Sequence, residues 1–346
     1  MDGVQTTRKD PKPTYADLDL RVGTFNYETT RALFEGSVRV DGVRSTQLST
    51  ARWLPGVFKQ FDEGAVDFAE YGLTFLLRAL DAGAPYVAIP AFPNRVFRHS
   101  SIFVNADSGI TDPRDLVGKT IGEFGVYGQD PGVWAKGILT DEYGFRPAAN
   151  KWVIGGLDEP GPPFDFTTHP IPDGLEVEAA PEGRSLADML VHGEIDALFT
   201  ANVPQAAQDG NPAIRLLFPD FPEREQDYFA RTGIFPIMHT VVVRREFLDE
   251  YPGVATVVYD AFLDAKNAAL ERFRQWRRLF QVPAMLPWIN DLYERNVALM
   301  GQDWWPYGIA ANRTALETFL RYHHEQGFSA RRWTVEDLFS IDLLDT

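Results

Sequence analysis

Two stretches of the chain place basic or imidazole side chains at the start of an apolar strand. Residues 94–105 contain two arginines, a histidine and two serines before an alternating apolar run, and residues 237–243 carry His239 near the start of another. An arginine fork such as that of Arg98 binds anions, and histidines such as His99 and His239 exchange protons near neutral pH. We interpret the two stretches as paired crossings between two lobes, with an anionic ligand held between them.

Other polar side chains are expected at the ends of neighbouring strands. Glu70 follows a short buried strand and precedes a helix that begins at Leu73, which is where open α/β sheets place ligand-binding residues. A solvated loop carboxylate is an equal alternative for Glu70. Residues 194–200, which end at Thr200, echo residues 65–70. This echo predicts two lobes that are built alike.

Two loops contain further candidates. The glycine-rich residues 122–130 include Tyr127 and precede a predicted helix from Gly132, so their backbone amides are suited to an anion. Their glycine spacing matches neither the dinucleotide fingerprint nor the P-loop, which excludes a predicted nucleotide site. Trp305 belongs to an aromatic loop at residues 304–308. That loop either caps the core or closes over an aromatic ring, and the pattern leaves both readings open.

Composition excludes several classes of partner. The chain has 346 residues and a net charge of −16, so its field repels nucleic acid and anionic membranes. There are no cysteines, which excludes disulfides and thiolate chemistry. No apolar signal region opens the sequence, and no run approaches the roughly 18 apolar residues of a membrane span. We therefore expect a cytoplasmic protein without a membrane partner.

The pattern of elements predicts an α/β protein with two lobes, each a mixed sheet flanked by helices, joined by two crossing strands. Residues 1–16 are predicted to be a flexible leader. Residues 17–105 and 240–346 are assigned to the first lobe, and residues 106–239 to the second. Residues 158–174 are rich in proline and glycine and are expected to form an exposed excursion without an assigned role.

Several blocks of sequence together resemble the 4,5-dihydroxyphthalate decarboxylase family. They are YETTRAL at 27–33, FRHS at 97–100, GIFPIMH at 233–239, WPYG at 305–308 and YHHEQG at 322–327. The resemblance extends from about residue 18 to residue 340. It implies a type II periplasmic-binding-protein fold used as a cytoplasmic enzyme of phthalate degradation, which removes a carboxylate from a hydroxylated aromatic acid. The substrate implied is 4,5-dihydroxyphthalate and the product protocatechuate.

Such a reaction needs a carboxylate clamp, a proton donor for the ring carbon and a partner for the phenolic oxygens. We expect Arg98 to bind the carboxylate and His99 or His239 to transfer the proton. Glu70 is a candidate acceptor for the proton of the phenol para to the leaving carboxylate. The predicted substrate-binding residues are Arg98, Ser100, Arg31, Tyr127, Thr200 and Trp305.

His99, His239 and Glu70 also form a conceivable two-histidine, one-carboxylate set for a divalent metal ion. Their wide separation and the lack of a local His-x-x-His spacing do not support it. The expected cofactor is therefore none or a divalent metal, with no nucleotide or flavin. The alternative function is a solute-binding protein that holds a small aromatic or other carboxylate without catalysis. The sequence leaves a homo-oligomer open.

Overall fold

The structure is a computed structural model that describes residues 14–164, 171–280 and 285–346. Most of the predicted leader, residues 1–13, and the central part of the predicted excursion, residues 165–170, lie outside the described residues. The first strand begins at Tyr15, because the chain there already pairs with Val43 of its neighbour. The last residues assigned to the leader therefore belong to the first sheet.

Strands and helices alternate along most of the described chain, as expected for an α/β protein. The strands are β1 (Tyr15–Gly23), β2 (Val43–Ser49), β3 (Phe68–Gly72), β4 (Tyr86–Ile89), β5 (Ile102–Asn105), β6 (Thr120–Phe124), β7 (Lys151–Gly155), β8 (Glu176–Ala179), β9 (Ala197–Phe199), β10 (Ile214–Leu216) and β11 (His239–Arg244). The α-helices are α1 (Arg31–Phe34), α2 (Leu54–Asp62), α3 (Leu73–Asp81), α4 (Asp130–Tyr143), α5 (Leu186–Val191), α6 (Gln205–Gln208), α7 (Phe221–Thr232), α8 (Arg245–Glu250), α9 (Val254–Arg278), α10 (Ile289–Met300), α11 (Arg313–Glu325) and α12 (Val335–Leu338).

Two mixed sheets divide the strands. The first has the order β2-β1-β3-β11-β4, in which β11 runs antiparallel to both of its neighbours. The second has the order β10-β5-β9-β6-β7-β8, in which β5 is antiparallel to β9 and β10. Each sheet therefore combines parallel strands with one antiparallel strand that enters from the other lobe, β11 in the first sheet and β5 in the second.

The predicted boundary at residue 105 places β5 in the first lobe, although β5 belongs to the second sheet. The predicted boundary at residue 239 places His239 in the second lobe, although β11 begins at His239 and belongs to the first sheet. β5 pairs with β9 and β10, so the chain passes from the first sheet to the second before residue 102. Two segments cross between the sheets, one after β4 and the other before β11. They run side by side: beside the bridge between Arg95 and Ile237, the Asn94 carbonyl accepts hydrogen bonds from the amides of Met238 and His239. The crossings are thus short, paired connections, and their continuations enter different sheets.

The echo between residues 65–70 and 194–200 corresponds to a shared structural device. Asp67 exchanges backbone hydrogen bonds with Arg21 of β1: its amide donates to the Arg21 carbonyl, and its Oδ2 accepts from the Arg21 amide. Asp196 makes the same pair of bonds with Thr120 of β6. In both sheets an aspartate thereby aligns a central strand with its parallel neighbour, which confirms that the two lobes repeat one construction.

Helix α4 begins at Asp130, two residues before the predicted start. Pro131 occupies the first turn, where its missing N–H and fixed φ are tolerated, and an acidic first residue favours the positive end of the helix dipole. The helix ends at Gly144, whose φ of 68° suits a residue without a side chain. Among the described residues, no helix has the length and apolarity needed to cross a membrane.

Candidate active site

A histidine and a glutamate from adjacent strands form a buried pair in the first sheet. In the antiparallel register of β3 and β11, His239 lies opposite Gly72 and Val241 lies opposite Glu70. His239 and Glu70 are therefore diagonal neighbours on one face of the sheet, and the His239 Nδ1 is 2.6 Å from the Glu70 Oε1. Glu70 is fully buried and His239 is 6% exposed. The pair joins two residues that are 169 positions apart.

The Glu70 carboxylate accepts hydrogen bonds from three further groups of the first lobe. Its Oε2 accepts from the Thr24 hydroxyl and from the Phe25 amide, each at 3.0 Å, and its Oε1 accepts from the Tyr27 hydroxyl at 2.9 Å. With these donors in place, the His239 Nδ1 is the donor toward Glu70. This tautomer leaves Nε2 of His239 as the nitrogen that can take up a proton.

Tyr27 is a site residue that the sequence analysis did not identify as functional. Burial, followed by the charge of Glu70, raises the pKa of the Tyr27 phenol, so the hydroxyl stays protonated and continues to donate. The Asn94 side-chain amide donates to the same hydroxyl at 3.3 Å. The sequence indicated this site only through the position of residues 24–27, which follow the carboxyl end of β1. Ligand-binding loops of open α/β sheets lie at such strand ends.

Asp130 is a second residue that the sequence analysis missed, and it comes from the other lobe. Its Oδ1 accepts a hydrogen bond of 2.6 Å from the backbone amide of Thr74, at the start of α3 in the first lobe. Asp130 is 1% exposed, and burial raises the pKa of its carboxyl group to about 6, against the lowering effect of His239, Thr74 and two arginines. An acidic residue directly after a glycine-rich loop was the signal in the sequence.

Arg98 lies in the same buried region, as expected of an anion-binding residue. It is 4% exposed, and its Nε has no hydrogen-bond partner in the described part of the chain. Burial lowers the pKa of the guanidinium to about 10, while the charges of Asp130 and Glu225 act in the opposite direction. At neutral pH Arg98 is therefore a buried cation with donor capacity left for an anionic ligand.

His99 follows Arg98 in sequence but faces a different environment. Its ring packs against Phe218 at 5.5 Å and Tyr228 at 5.4 Å, centroid to centroid, and neither ring nitrogen finds a partner among the described residues. Burial lowers the pKa of His99 to about 4, so the ring is neutral at pH 7. The described residues contain no cluster of three or more histidines, aspartates or glutamates that could hold a metal ion. The predicted set of His99, His239 and Glu70 is thus not brought together.

The remaining predicted substrate ligands are engaged elsewhere. The Ser100 amide donates to Glu225 at 3.0 Å. The Thr200 hydroxyl closes a local turn with the backbone of Asn202. The half-buried Trp305 donates its indole N–H to the Phe92 carbonyl at 2.8 Å. This hydrogen bond holds the aromatic loop against the core, and contact of Trp305 with an aromatic substrate stays a prediction.

Arg31 is close to half exposed and forms an ion pair of 2.9 Å with Glu28. Tyr127 is buried in the second lobe, where its ring lies 4.2 Å from the Lys136 ammonium and 5.1 Å from the Trp152 ring. Both its ring and its backbone contact the first lobe: the ring lies 5.6 Å from the Phe328 ring, and the Arg78 guanidinium donates to the Tyr127 carbonyl at 3.1 Å. The structure therefore gives Tyr127 a place in the contact between the lobes.

Taken together, the Glu70–His239 pair, Asp130 and Arg98 make a water-poor site between the lobes. The site combines a tautomer-fixed imidazole, a carboxyl group that titrates near pH 6 and a permanent cation. Proton transfer and carboxylate binding are the two operations that such groups perform in a buried environment.

Comparison with known proteins identifies related families and similar folds. Residues 56–144 match the family model described as NMT1/THI5 like. The chain is 34% identical over 324 residues to a 4,5-dihydroxyphthalate decarboxylase of Comamonas testosteroni, covering 93% of this chain and 96% of that protein. It is 32% identical over 214 residues to the enzyme of the same name from Pseudomonas putida, covering 61% of this chain and 81% of that protein.

Two similar solved structures are sulfonate-binding proteins. The sulfonate-binding protein SsuA of Methylobacillus flagellatus matches with a TM-score of 0.54 and 15% identity, over 94% of this chain and 92% of that one. The aliphatic sulphonate binding protein SsuA of Escherichia coli matches with a TM-score of 0.53 and 13% identity, over 97% and 100% of the two chains. At such identities the likeness shows fold alone. It confirms the predicted two-lobed, periplasmic-binding-protein-like architecture.

Proposed function

The chain belongs to the 4,5-dihydroxyphthalate decarboxylase family and is a carboxy-lyase, and from this premise we propose that it converts 4,5-dihydroxyphthalate to protocatechuate and CO2. The observation that carries the proposal is the buried hydrogen bond between His239 and Glu70 in the same site as the Arg98 cation. An acid–base pair beside an arginine suits a reaction that moves protons on an anionic aromatic ring.

His239 is the base of the proposed reaction. A phenol para to the leaving carboxylate pushes electron density into the ring when its proton is removed, and the free Nε2 of His239 is the atom that accepts this proton. Glu70 holds the Nδ1 proton and stabilises the imidazolium that forms. Because Glu70 already accepts four hydrogen bonds, we assign it to positioning His239 rather than to direct contact with the phenol.

Arg98 is the proposed carboxylate clamp. The substrate carries two adjacent carboxylates, and a buried guanidinium with unused donor capacity binds one of them in a planar, bidentate manner. Burial removes competing water, which makes the charge-assisted hydrogen bonds stronger than they would be at the surface. Ser100, Arg31, Tyr127, Thr200 and Trp305 have other partners and are not assigned direct substrate contacts in this proposal.

The described residues do not fit a two-histidine, one-carboxylate metal site, since His99 lies apart from the pair and the oxygens of Glu70 are occupied. No step of the proposal is routed through a metal ion. The expectation of no cofactor or a divalent metal stays a prediction, as do the cytoplasmic location and the homo-oligomer.

The test is to incubate the purified chain with 4,5-dihydroxyphthalate and to follow CO2 and protocatechuate. Parallel reactions contain a chelator or added divalent cations, and calorimetry measures binding of the same compound. Formation of both products in equal amounts supports the proposal. Tight binding without product under every metal condition would leave the alternative, a solute-binding protein for an aromatic carboxylate.

A further inference from the structure

The site between the lobes contains one acidic group that the proposed function leaves unused. Asp130 is the first residue of α4 in the second lobe, yet its carboxylate is bound to the first lobe through the Thr74 amide. Two further bonds join the same places: the Thr74 hydroxyl and the Arg78 guanidinium both donate to the Gly128 carbonyl, at 3.0 and 2.6 Å. These three bonds hold Asp130 against the first lobe.

The backbone of β3 makes room for this carboxylate. A Cβ atom at Gly72 would lie 2.4 Å from the Asp130 Oδ2 and 2.7 Å from the Phe75 Cδ2, so the carboxylate and the Phe75 ring together fill the space that any side chain at Gly72 would need. Gly72 is also the residue opposite His239 in the register of β3 and β11. Cross-strand neighbours share one face of a sheet, so Asp130 reaches the first sheet beside the His239 imidazole.

The charges that face Asp130 come from three elements. They are His239 of β11, Arg78 of α3 and Arg98 of the first crossing, with the Thr74 amide as its hydrogen-bond donor. Although these groups favour the carboxylate, burial outweighs them and the pKa rises to about 6. A substrate with two carboxylates adds negative charge beside Asp130, which disfavours its ionised form further. Substrate binding thus promotes protonation of Asp130.

We propose that Asp130 is the general acid that delivers a proton to the ring carbon from which CO2 departs, and that closure of the lobes brings it into the site. The inference rests on the proposed function, because only a reaction that replaces a carboxylate by hydrogen needs such a donor. It divides the chemistry between two lobes: the base His239 belongs to the first, and the acid belongs to the second.

The step balances in protons and electrons. His239 removes the phenol proton while Asp130 protonates the carbon bearing the leaving carboxylate, so a new C–H bond forms from the ring electrons. The bond from that carbon to the carboxylate then breaks, CO2 leaves, and its bonding pair restores the aromatic phenolate. His239 returns its proton to the phenolate oxygen. Asp130 is left as a carboxylate and regains a proton from water when the lobes open.

The experiment measures steady-state kinetics of the full chain with 4,5-dihydroxyphthalate for the wild type and for Asp130→Asn. The amide keeps an oxygen for the Thr74 amide but cannot donate the required proton. We expect kcat at pH 7 to fall by about 100-fold or more, with binding of the substrate changed by less than about threefold. The matched control is Asp141→Asn on the same helix, a surface residue paired with Arg321, which is expected to leave kcat unchanged.

The pH profile supplies a readout that a merely structural role would not move. Since the protonated carboxyl is the active form, wild-type kcat should fall as pH rises through the pKa of Asp130 in the complex, and the residual activity of Asp130→Asn should lack this limb. A second variant, Gly72→Ala, forces the carboxylate away while keeping the acid in the sequence. We expect kcat of this variant to fall as well. It replaces Asp130→Asn as the test if that variant does not fold.

The outcomes separate the two proposals. If the wild type makes protocatechuate but Asp130→Asn or Gly72→Ala keeps more than about a third of its kcat, the role of Asp130 is wrong and the proposed function stands. The same holds if the falling limb persists in Asp130→Asn, or if wild-type kcat does not fall at alkaline pH. If the wild type binds 4,5-dihydroxyphthalate and releases no CO2, the proposed function fails and this inference fails with it.

Discussion

The regions around His99 and His239 have similar sequence patterns, but the two histidines have different chemical surroundings. Each histidine is buried and lies where a crossing enters a strand, at 2% and 6% exposure. His239 meets a carboxylate whose other donors are fixed, whereas His99 meets the faces and edges of aromatic rings. The comparison shows that burial among aromatic rings leaves a histidine neutral, whereas burial beside a held carboxylate gives it a fixed hydrogen-bond partner, as the proposed base requires.

The energetic reason is the cost of charging a ring away from water. Burial lowers the pKa of His99 to about 4, with Arg224 and Arg231 acting in the same direction. In the His239 region, the Glu70 carboxylate compensates the imidazolium that forms when a proton arrives.

Replacement of His239 by Ala removes the proposed base, and we expect kcat with 4,5-dihydroxyphthalate to fall by about 1,000-fold. Substrate affinity, measured by calorimetry, should change much less because Arg98 remains. A variant that turns over within about tenfold of the wild type would exclude the proton-transfer role.

Replacement of Glu70 by Gln keeps the shape of the side chain and removes the charge that holds the Nδ1 proton. We expect kcat to fall by about 100-fold, since the amide presents donors to groups that themselves donate. Nuclear magnetic resonance of the imidazole nitrogens should show a mixed tautomer in place of a single one. An unaltered tautomer with full turnover would separate Glu70 from the function of His239.

Replacement of Arg98 by Lys keeps the cation and loses the planar fork. We expect KM to rise by about tenfold with a smaller change in kcat, because the lost contact is to a carboxylate that is bound throughout the reaction. Steady-state kinetics of the wild type and the variant at several ionic strengths measure the changes in KM and kcat. If KM is unaffected, another group holds the substrate.

Replacement of His99 by Phe preserves the packing against Phe218 and Tyr228, and we expect kcat to stay within about twofold of the wild type. The variant should differ in acid stability. The unfolded chain binds a proton at His99 near its ordinary pKa of 6.5, and the folded chain binds it only near pH 4. His99 therefore lowers the free energy of unfolding as pH falls through this window, by up to about 3 kcal/mol.

The measurement is urea unfolding of the wild type and His99→Phe at neutral pH and near pH 4. The wild type should lose more stability on acidification than the variant. Asp130, whose raised pKa has the opposite sign of effect, is present in both proteins and cancels from the difference. Equal acid sensitivity of the two proteins would show that His99 is protonated in the folded chain. A large loss of kcat in His99→Phe would show that His99 takes part in catalysis.

Sequence patterns anticipated the elements that support the site better than the site itself. The structure contains the predicted helix from Leu73 and the short buried strand before it, because apolar periodicity and glycine or proline boundaries act locally. Glu70 lies within that strand and not after it, and its full burial excludes the alternative of a solvated loop carboxylate. The structure places His239 beside Glu70 and buries Arg98, while the roles of all three in binding and catalysis stay predictions. Asp130 escaped notice because its partner, the Thr74 amide, is 56 residues away.

By itself the sequence determined the α/β class, the acidic surface charge, the repeat of Asp67 and Asp196, and membership of a decarboxylase family. Only the tertiary structure decided which histidine meets a carboxylate. That choice depends on the register of β3 against β11, and a slip of one residue would turn His239 to the other face of the sheet. The placement of Asp130 against Gly72 depends likewise on contacts between the lobes, which no local pattern of residues encodes.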